Sequence, residues 1–340
     1  MKDSLRIFTA TGNRNELTAL VRLIEAAPGF IVAAAVADEM GLIDLIDKEK
    51  PDLVLMDLDY FGDDPVGKIR DIMRLYPVPI VLMSSEQKAV KAIDGIAAGA
   101  LTVIKRPPTT DLKTNAPAGQ ALLRTLKTYA GVQVIRHIHG GEVKKRARVC
   151  DDKGAAGLVV IASSTGGPNS LKIILSELPA NLPAGIVVAQ HITQGFTQGL
   201  IEWLDRVTAL NVKLAEDGEE IMPGTVYFAP DEYHISIKKG CLINLEKASA
   251  TEGHRPSCNT LLHSAAVACG DSTVGVILSG MGDDGAKGLL DIKKAGGMTI
   301  AQDEATCVVF GMPRVALENG AVDGTTPLAS IAGEILRCLQ

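Results

Sequence analysis

The chain has 340 residues, 46% of them hydrophobic and only 4% aromatic, and a formal net charge of −6. At about 150 residues per domain this length predicts two domains, each long enough to bury its own core. The acidic balance supplies no basic surface for a phosphate backbone, which argues against nucleic acid. No apolar run approaches the ~18 residues that a membrane span needs, which argues against insertion.

The six cysteines form no C-x-x-C pair and read as reduced thiols. The opening MKDSLRIFTA runs directly into a strand pattern, so no targeting segment is expected and the location read is cytoplasmic.

In chain order, short apolar runs alternate with helical patterns over the first 130 residues. Leu5–Ala10, Ile31–Ala37, Leu53–Leu58, Ile80–Met83 and Leu101–Ile104 read as strands. Leu17, Leu20, Val21 and Ile24 follow the spacing of an amphipathic helix, and Ala116–Ala130 is a final helix with Leu122, Leu123 and Leu126 on one side. Repeated β-α units predict an open, doubly wound parallel sheet. Residues 131–154 are charged, contain glycine and lack apolar periodicity, so they read as a linker between domains 1–130 and 155–340. His137 and His139 fall in that linker. Two nearby imidazoles are too few for a stable metal site, and no metal site is read.

The second half opens with strand Leu158–Ala162, the turn SSTGGP and a helix carrying Leu171, Ile174, Leu175 and Leu178. Strand Ile186–Ala189 ends at Gln190-His191, and Val274–Leu278 ends in SGMGDDGA. Between these, GTVYFAPDEYHISIKKGCLINLE reads as β-hairpins with Lys239-Gly240 at a turn.

Ligands of a parallel α/β sheet gather beyond the carboxyl ends of its strands. Ser164, His191 and an acid of the GDDG turn each fall there, which are the parts of a nucleophilic triad. A serine hydroxyl is too weak a nucleophile alone. His191 would take its proton, and the carboxylate would orient the ring. From the residues, either Asp283 or Asp284 fits that last role. Ser163 is a second hydroxyl in the same turn, and His234, His254 and His263 are rival bases that follow no core strand in this way. The chain order Ser, His, Asp differs from that of the α/β-hydrolases. SSTGGP alone would also suit tight packing or a phosphate cradle, although no G-K-[ST] ending or complete G-x-G-x-x-G is present.

The motifs AxSTGG with Ser164, QHIxxGFT with His191, GHRPS at 253–257, SGMGDDGA with Asp284 and AQDEATCVVFGMPRVAL at 301–317 resemble the bacterial chemotaxis receptor methylesterases. The resemblance covers Leu158 to the C-terminus. It implies a parallel-sheet α/β esterase that hydrolyses glutamate methyl esters on methyl-accepting chemotaxis receptors, often with deamidation of selected glutamines. It assigns Ser164 as nucleophile, His191 as base and Asp284 as orienting acid, with backbone N–H groups of Thr165 and Met281 lining the oxyanion hole. That chemistry requires no cofactor. The alternative reading is a catalytically silent adaptor that binds receptors or a kinase.

The same resemblance implies a flavodoxin-like receiver domain in the first half, with a chemotaxis histidine kinase as a further partner. Receivers phosphorylate an aspartate at the end of the third strand, using Mg²⁺ held by two more acids after the first strand. Asp57 occupies the acceptor position and Ser84 the hydroxyl position. The first strand, however, ends Thr9-Ala10-Thr11-Gly12, without an acidic pair. Arg106 replaces the expected lysine, with Lys105 one place earlier. A pseudo-receiver is therefore expected, unless Asp59, Asp63 or Asp64 supplies a substitute carboxylate.

Overall fold

The computed structural model describes residues 4–132, 157–251 and 253–340. The expected linker lies almost wholly outside the described residues, as do His137 and His139. The chain divides into two compact units, with the division at 138/139.

In the first unit the apolar runs become β1 (Leu5–Ala10), β2 (Phe30–Val36), β3 (Leu53–Asp57), β4 (Ile80–Ser84) and β5 (Thr102–Lys105). Helices α1 (Arg14–Glu25), α2 (Leu42–Glu49), α3 (Pro65–Leu75), α4 (Ala89–Ala97) and α5 (Pro117–Tyr129) alternate with them. The strands pair in parallel in the order β2-β1-β3-β4-β5, the flavodoxin-like arrangement. Every residue of β3 and β4 is buried, as expected of parallel strands covered on both faces. Leu20, Leu23 and Ile24 of α1 and Leu122 and Leu126 of α5 pack on Leu53, Leu55, Val81 and Met83. Truncating one such leucine to alanine would cost about 2–5 kcal/mol. The strand order reverses between β1 and β3, and Asp57 ends β3 at that point.

The second unit is built on six parallel strands: β6 (Gly157–Ser163), β7 (Ala184–Gln190), β8 (Asn211–Leu214), β9 (Thr225–Phe228), β12 (Thr273–Ile277) and β13 (Met298–Ala301). Their order is β13-β12-β6-β7-β9-β8. Helices α6 (Gly167–Glu177), α7 (Thr197–Val207), α8 (Cys258–Cys269), α9 (Ala286–Lys294), α10 (Met312–Glu318) and α11 (Leu328–Cys338) surround it. The expected hairpins are half correct. β10 (His234–Lys238) and β11 (Leu242–Glu246) form an antiparallel pair turning at Lys239-Gly240-Cys241, but Thr225–Phe228 joins the parallel sheet. The runs at 211–214 and 298–301, not expected as strands, pair in parallel with β9 and β12. No helix among the described residues is long and apolar enough to cross a membrane.

Candidate active site

β6 lies between β7 and β12, so the residues leaving all three strands emerge together at one edge of the sheet. Ser163 pairs in register with Gln190, which brings the next residues, Ser164 and His191, out at the same level. The backbone N–H of His191 donates to the Ser163 carbonyl at 2.9 Å. Gln190 Nε2 donates to the carbonyls of Ser164 (2.9 Å) and His191 (2.8 Å), clamping the two strand exits. Ser163 is fully buried and its hydroxyl donates to Gln190 Oε1 at 2.6 Å, whereas Ser164 is only half-buried. Pro168 sits in the first turn of α6, where its missing N–H leaves no carbonyl unpaired.

On the other flank, the loop after β12 is tied to the serine turn. The Ser164 N–H donates to the Ser279 carbonyl at 3.1 Å, and Ser279 Oγ donates to the Thr165 carbonyl at 2.7 Å. A Cβ at Gly280 would come within 2.8 Å of the Ser164 Cβ, so the loop approaches this closely only with glycine there. Thr165 is buried next to Ser164, and Met281 follows Gly280 with its side chain exposed.

Asp283 and Asp284 face opposite ways. Asp283 is exposed, while Asp284 is buried with its Oδ2 2.9 Å from His191 Nε2. Asp284 also accepts the N–H groups of Cys258 (Oδ2, 2.8 Å) and Asn259 (Oδ1, 2.8 Å) and the Ser257 hydroxyl (Oδ1, 3.2 Å). These donors open α8, whose unsatisfied N–H groups and positive dipole end favour a carboxylate. Burial by itself would raise the Asp284 pKa. The hydrogen bonds from His191, Asn259 and Cys258 outweigh it and hold the carboxyl below its usual value.

An ionised carboxylate only accepts, so His191 Nε2 carries the hydrogen and Nδ1 is the ring's acceptor. Nδ1 is buried and has no hydrogen-bond partner among the described residues. The ring of His254 stacks on that of His191, with centroids 4.1 Å apart and planes 4° from parallel. Cys258 Sγ lies 3.4 Å from His191 Nε2, but burial, and then the Asp284 charge, push its thiol well up, so it stays neutral. His191, His254 and Asp284 bring ligand atoms within 4.8 Å of one another, yet a metal there would occupy the groups that acyl transfer needs.

The other candidate bases are held elsewhere. His234 is buried, with Nε2 on the Ser249 carbonyl (3.0 Å) and Nδ1 accepting the Ser257 N–H (3.2 Å). His263 is exposed and pairs with Asp291. Asn259, Ser257 and Gln190 support the site; Gln190 and Ser257 lie within the motifs QHIxxGFT and GHRPS, but none of the three was given a role from the sequence. Ser257 just before an apolar helical run is the one N-terminal signal that was legible.

In the first unit Asp57 is fully buried at the end of β3. It accepts the Thr11 hydroxyl (2.8 Å) and the Asp59 N–H (2.9 Å), and pairs with Arg106. Ser84 donates to Asp59 Oδ1 at 2.8 Å. Lys105 points away to Glu86 at 2.6 Å, and Asp64 caps α3 through the Gly67 N–H. Of the three substitute carboxylates considered, Asp59 shares an arginine with Asp57.

The sequence model of the CheB methylesterase family matches residues 159–335. The chain belongs to that family. A Pyrococcus abyssi protein-glutamate methylesterase/protein-glutamine glutaminase is 35% identical over 327 residues, covering 94% of this chain and 89% of its own. An Anaeromyxobacter dehalogenans protein of the same description is 38% identical over 329 residues, covering 96% and 95%. The Thermotoga maritima CheB methylesterase catalytic domain, a solved crystal structure, is 44% identical with a TM-score of 0.52, covering 54% of this chain and 98% of that one. The match to this CheB-type family model falls within the second unit, and the first unit precedes it with its flavodoxin-like sheet.

Proposed function

We propose that Ser164, His191 and Asp284 carry out acyl transfer in this enzyme, a protein-glutamate methylesterase/protein-glutamine glutaminase acting on chemotaxis receptors. The observation that carries this reading is the 2.9 Å contact between His191 and the buried Asp284 at the strand edge where Ser164 emerges. His191 Nδ1 takes the Ser164 proton as Oγ attacks the glutamyl ester carbonyl. The same proton passes to the departing methoxide, methanol leaves, and water then hydrolyses the acyl-enzyme by the same route. With a glutamine substrate the leaving group is ammonia. Asp284 fixes the tautomer and stabilises the imidazolium, while the backbone N–H groups of Thr165 and Met281 receive the oxyanion.

A cavity of about 220 Å³ opens beside Gln190, lined among others by Ile192, Thr197, Phe228, Asp231 and Arg255. Ser164, His191 and Asp284 do not line it, and its volume suits a single side chain flanking the reacting glutamyl group. The working division is a regulatory domain over 1–130, a linker over 131–154 and a catalytic domain over 155–340, in a cytoplasmic protein that also meets a chemotaxis histidine kinase.

The test is methanol release from methylated receptor membranes by the full chain. Wild type should release methanol and Ser164→Ala should not. Equal release by both would remove Ser164 as the nucleophile.

A further inference from the structure

We infer that Arg106 is a resident cation standing where a working receiver holds Mg²⁺, so that this receiver is not switched by Mg²⁺-dependent phosphorylation of Asp57.

With Arg106 in place, the residues present do not fit the divalent ion. Mg²⁺ needs carboxylate and other oxygens in near-octahedral array, with water and phosphate completing the shell. After β1 the chain offers Thr11 and Gly12 instead of acids. The Thr11 hydroxyl donates to Asp57 Oδ2 at 2.8 Å, which occupies an oxygen that a cation would need. At Gly12 a Cβ would lie 1.9 Å from the Tyr60 carbonyl oxygen. No acid side chain fits at 12 while the β3–α3 loop runs where it does.

The carboxylates instead gather around a guanidinium. Arg106 pairs with Asp57 and lies 3.2 Å from Asp59 Oδ2 and 3.5 Å from Glu16 Oε1. Its plane also rests on the Tyr60 ring, 4.4 Å from the centroid. Glu16 and Asp57 are essentially inaccessible, Asp59 is 5% exposed and Arg106 17%. Glu16 comes from the first turn of α1 and is the one acid of this group that strand-end positions did not suggest. A guanidinium has only donors and keeps its charge at any pH the protein tolerates, so it cannot step aside by losing a proton. It repels a second cation, and with the guanidinium on Oδ1 and the Thr11 hydroxyl on Oδ2 neither Asp57 oxygen is free for a phosphoryl group.

Two measurements on the full chain test the inference. After incubation with acetyl phosphate and Mg²⁺, intact mass should show no added phosphoryl group on wild type. A gain of one phosphoryl group that Asp57→Asn abolishes would overturn it. In the second, the melting of residues 4–132 is followed by hydrogen exchange on heating, with and without Mg²⁺. Wild type should not respond. Arg106→Ala, which leaves Glu16, Asp57 and Asp59 without their cation, should melt lower and regain several degrees with Mg²⁺. Arg106→Lys keeps a charge without the fork, and guards against a variant that does not fold. It should show a smaller Mg²⁺ response. A wild-type response equal to that of the variants, or no response in any of them, would overturn the role given to Arg106.

Discussion

Asp284 and Asn259 cap each other's helices. Asp284 accepts the Cys258 and Asn259 N–H groups at the start of α8, and Asn259 Oδ1 accepts those of Gly285 (2.9 Å) and Gly288 (3.0 Å) at the start of α9. The loop that presents the carboxylate to His191 is thereby held from the opposite side. Asn259→Ala should cost about 1–2 kcal/mol of stability by leaving α9 uncapped. It should also lower kcat with KM little changed, because Asp284 keeps its own donors but sits on a looser loop. Thermal unfolding and methanol-release kinetics check both parts. An unchanged kcat would leave the cap a purely structural role.

The two serines of the turn should separate cleanly. Ser164→Ala should reduce turnover by about 10⁴-fold or more, as for other serine nucleophiles. Ser163→Ala leaves Gln190 Oε1 without its buried donor and should cost about 1–3 kcal/mol in stability. Turnover should persist, since the Gln190 amide still clamps the Ser164 and His191 carbonyls. Steady-state kinetics beside calorimetry distinguish the two.

The stacked imidazoles give a third expectation. An aromatic pair is worth about 0.5–1.5 kcal/mol beyond the area it covers, which is up to about tenfold in rate if it serves to orient His191. His254→Ala should lower kcat within that range, and His254→Phe should restore most of it by keeping a flat partner. A Phe variant as slow as the Ala variant would show that His254 contributes its nitrogens instead.

Stability should depend on pH in opposite senses in the two units. Burial, with the Asp57 charge adding to it, pushes Glu16 from 4.5 up to about 7. A carboxyl raised on folding binds its proton more tightly when folded. Its effect is therefore most favourable below about 4.5, and stability falls as pH rises towards about 7. Glu16→Gln should flatten that fall, leaving the N-terminal unit about 1–3 kcal/mol more stable than wild type above about pH 8. Asp284 is depressed on folding, so its contribution is present at neutral pH and is lost on acidification through its folded pKa. Hydrogen exchange resolved by unit, from about pH 2 to about pH 8, checks both slopes.

Long buried strands such as Ile80–Ser84 and Ala184–Gln190 were legible because a parallel strand covered on both faces is a continuous apolar run. The positions of Ser164 and His191 followed, since both directly succeed such runs. Thr225–Phe228 was misread because a four-residue strand between Gly224 and Ala229-Pro230 carries no sign that it will lie in parallel between β7 and β8 instead of turning back in a hairpin. Met298–Ala301 was missed for a similar reason, being four residues with an exposed first side chain. Glu16 had one available signal: it stands in phase with Leu20, Leu23 and Ile24 on the buried face of α1.

The sequence by itself determined the α/β class, the two-part organisation, the serine and histidine at strand ends, and the loss of the acidic pair after the first strand. All of these are local: runs, turns and spacings that need no knowledge of what lies opposite. The motif resemblance already favoured Asp284 over Asp283, but only the tertiary structure brought its carboxylate onto His191, stacked His254 on that ring, and placed Arg106 in the pocket of Glu16, Asp57 and Asp59. Those pairings join residues up to 93 positions apart. Their geometry depends on which strands become neighbours and which way each loop turns, and that is fixed only when the whole sheet has closed its core.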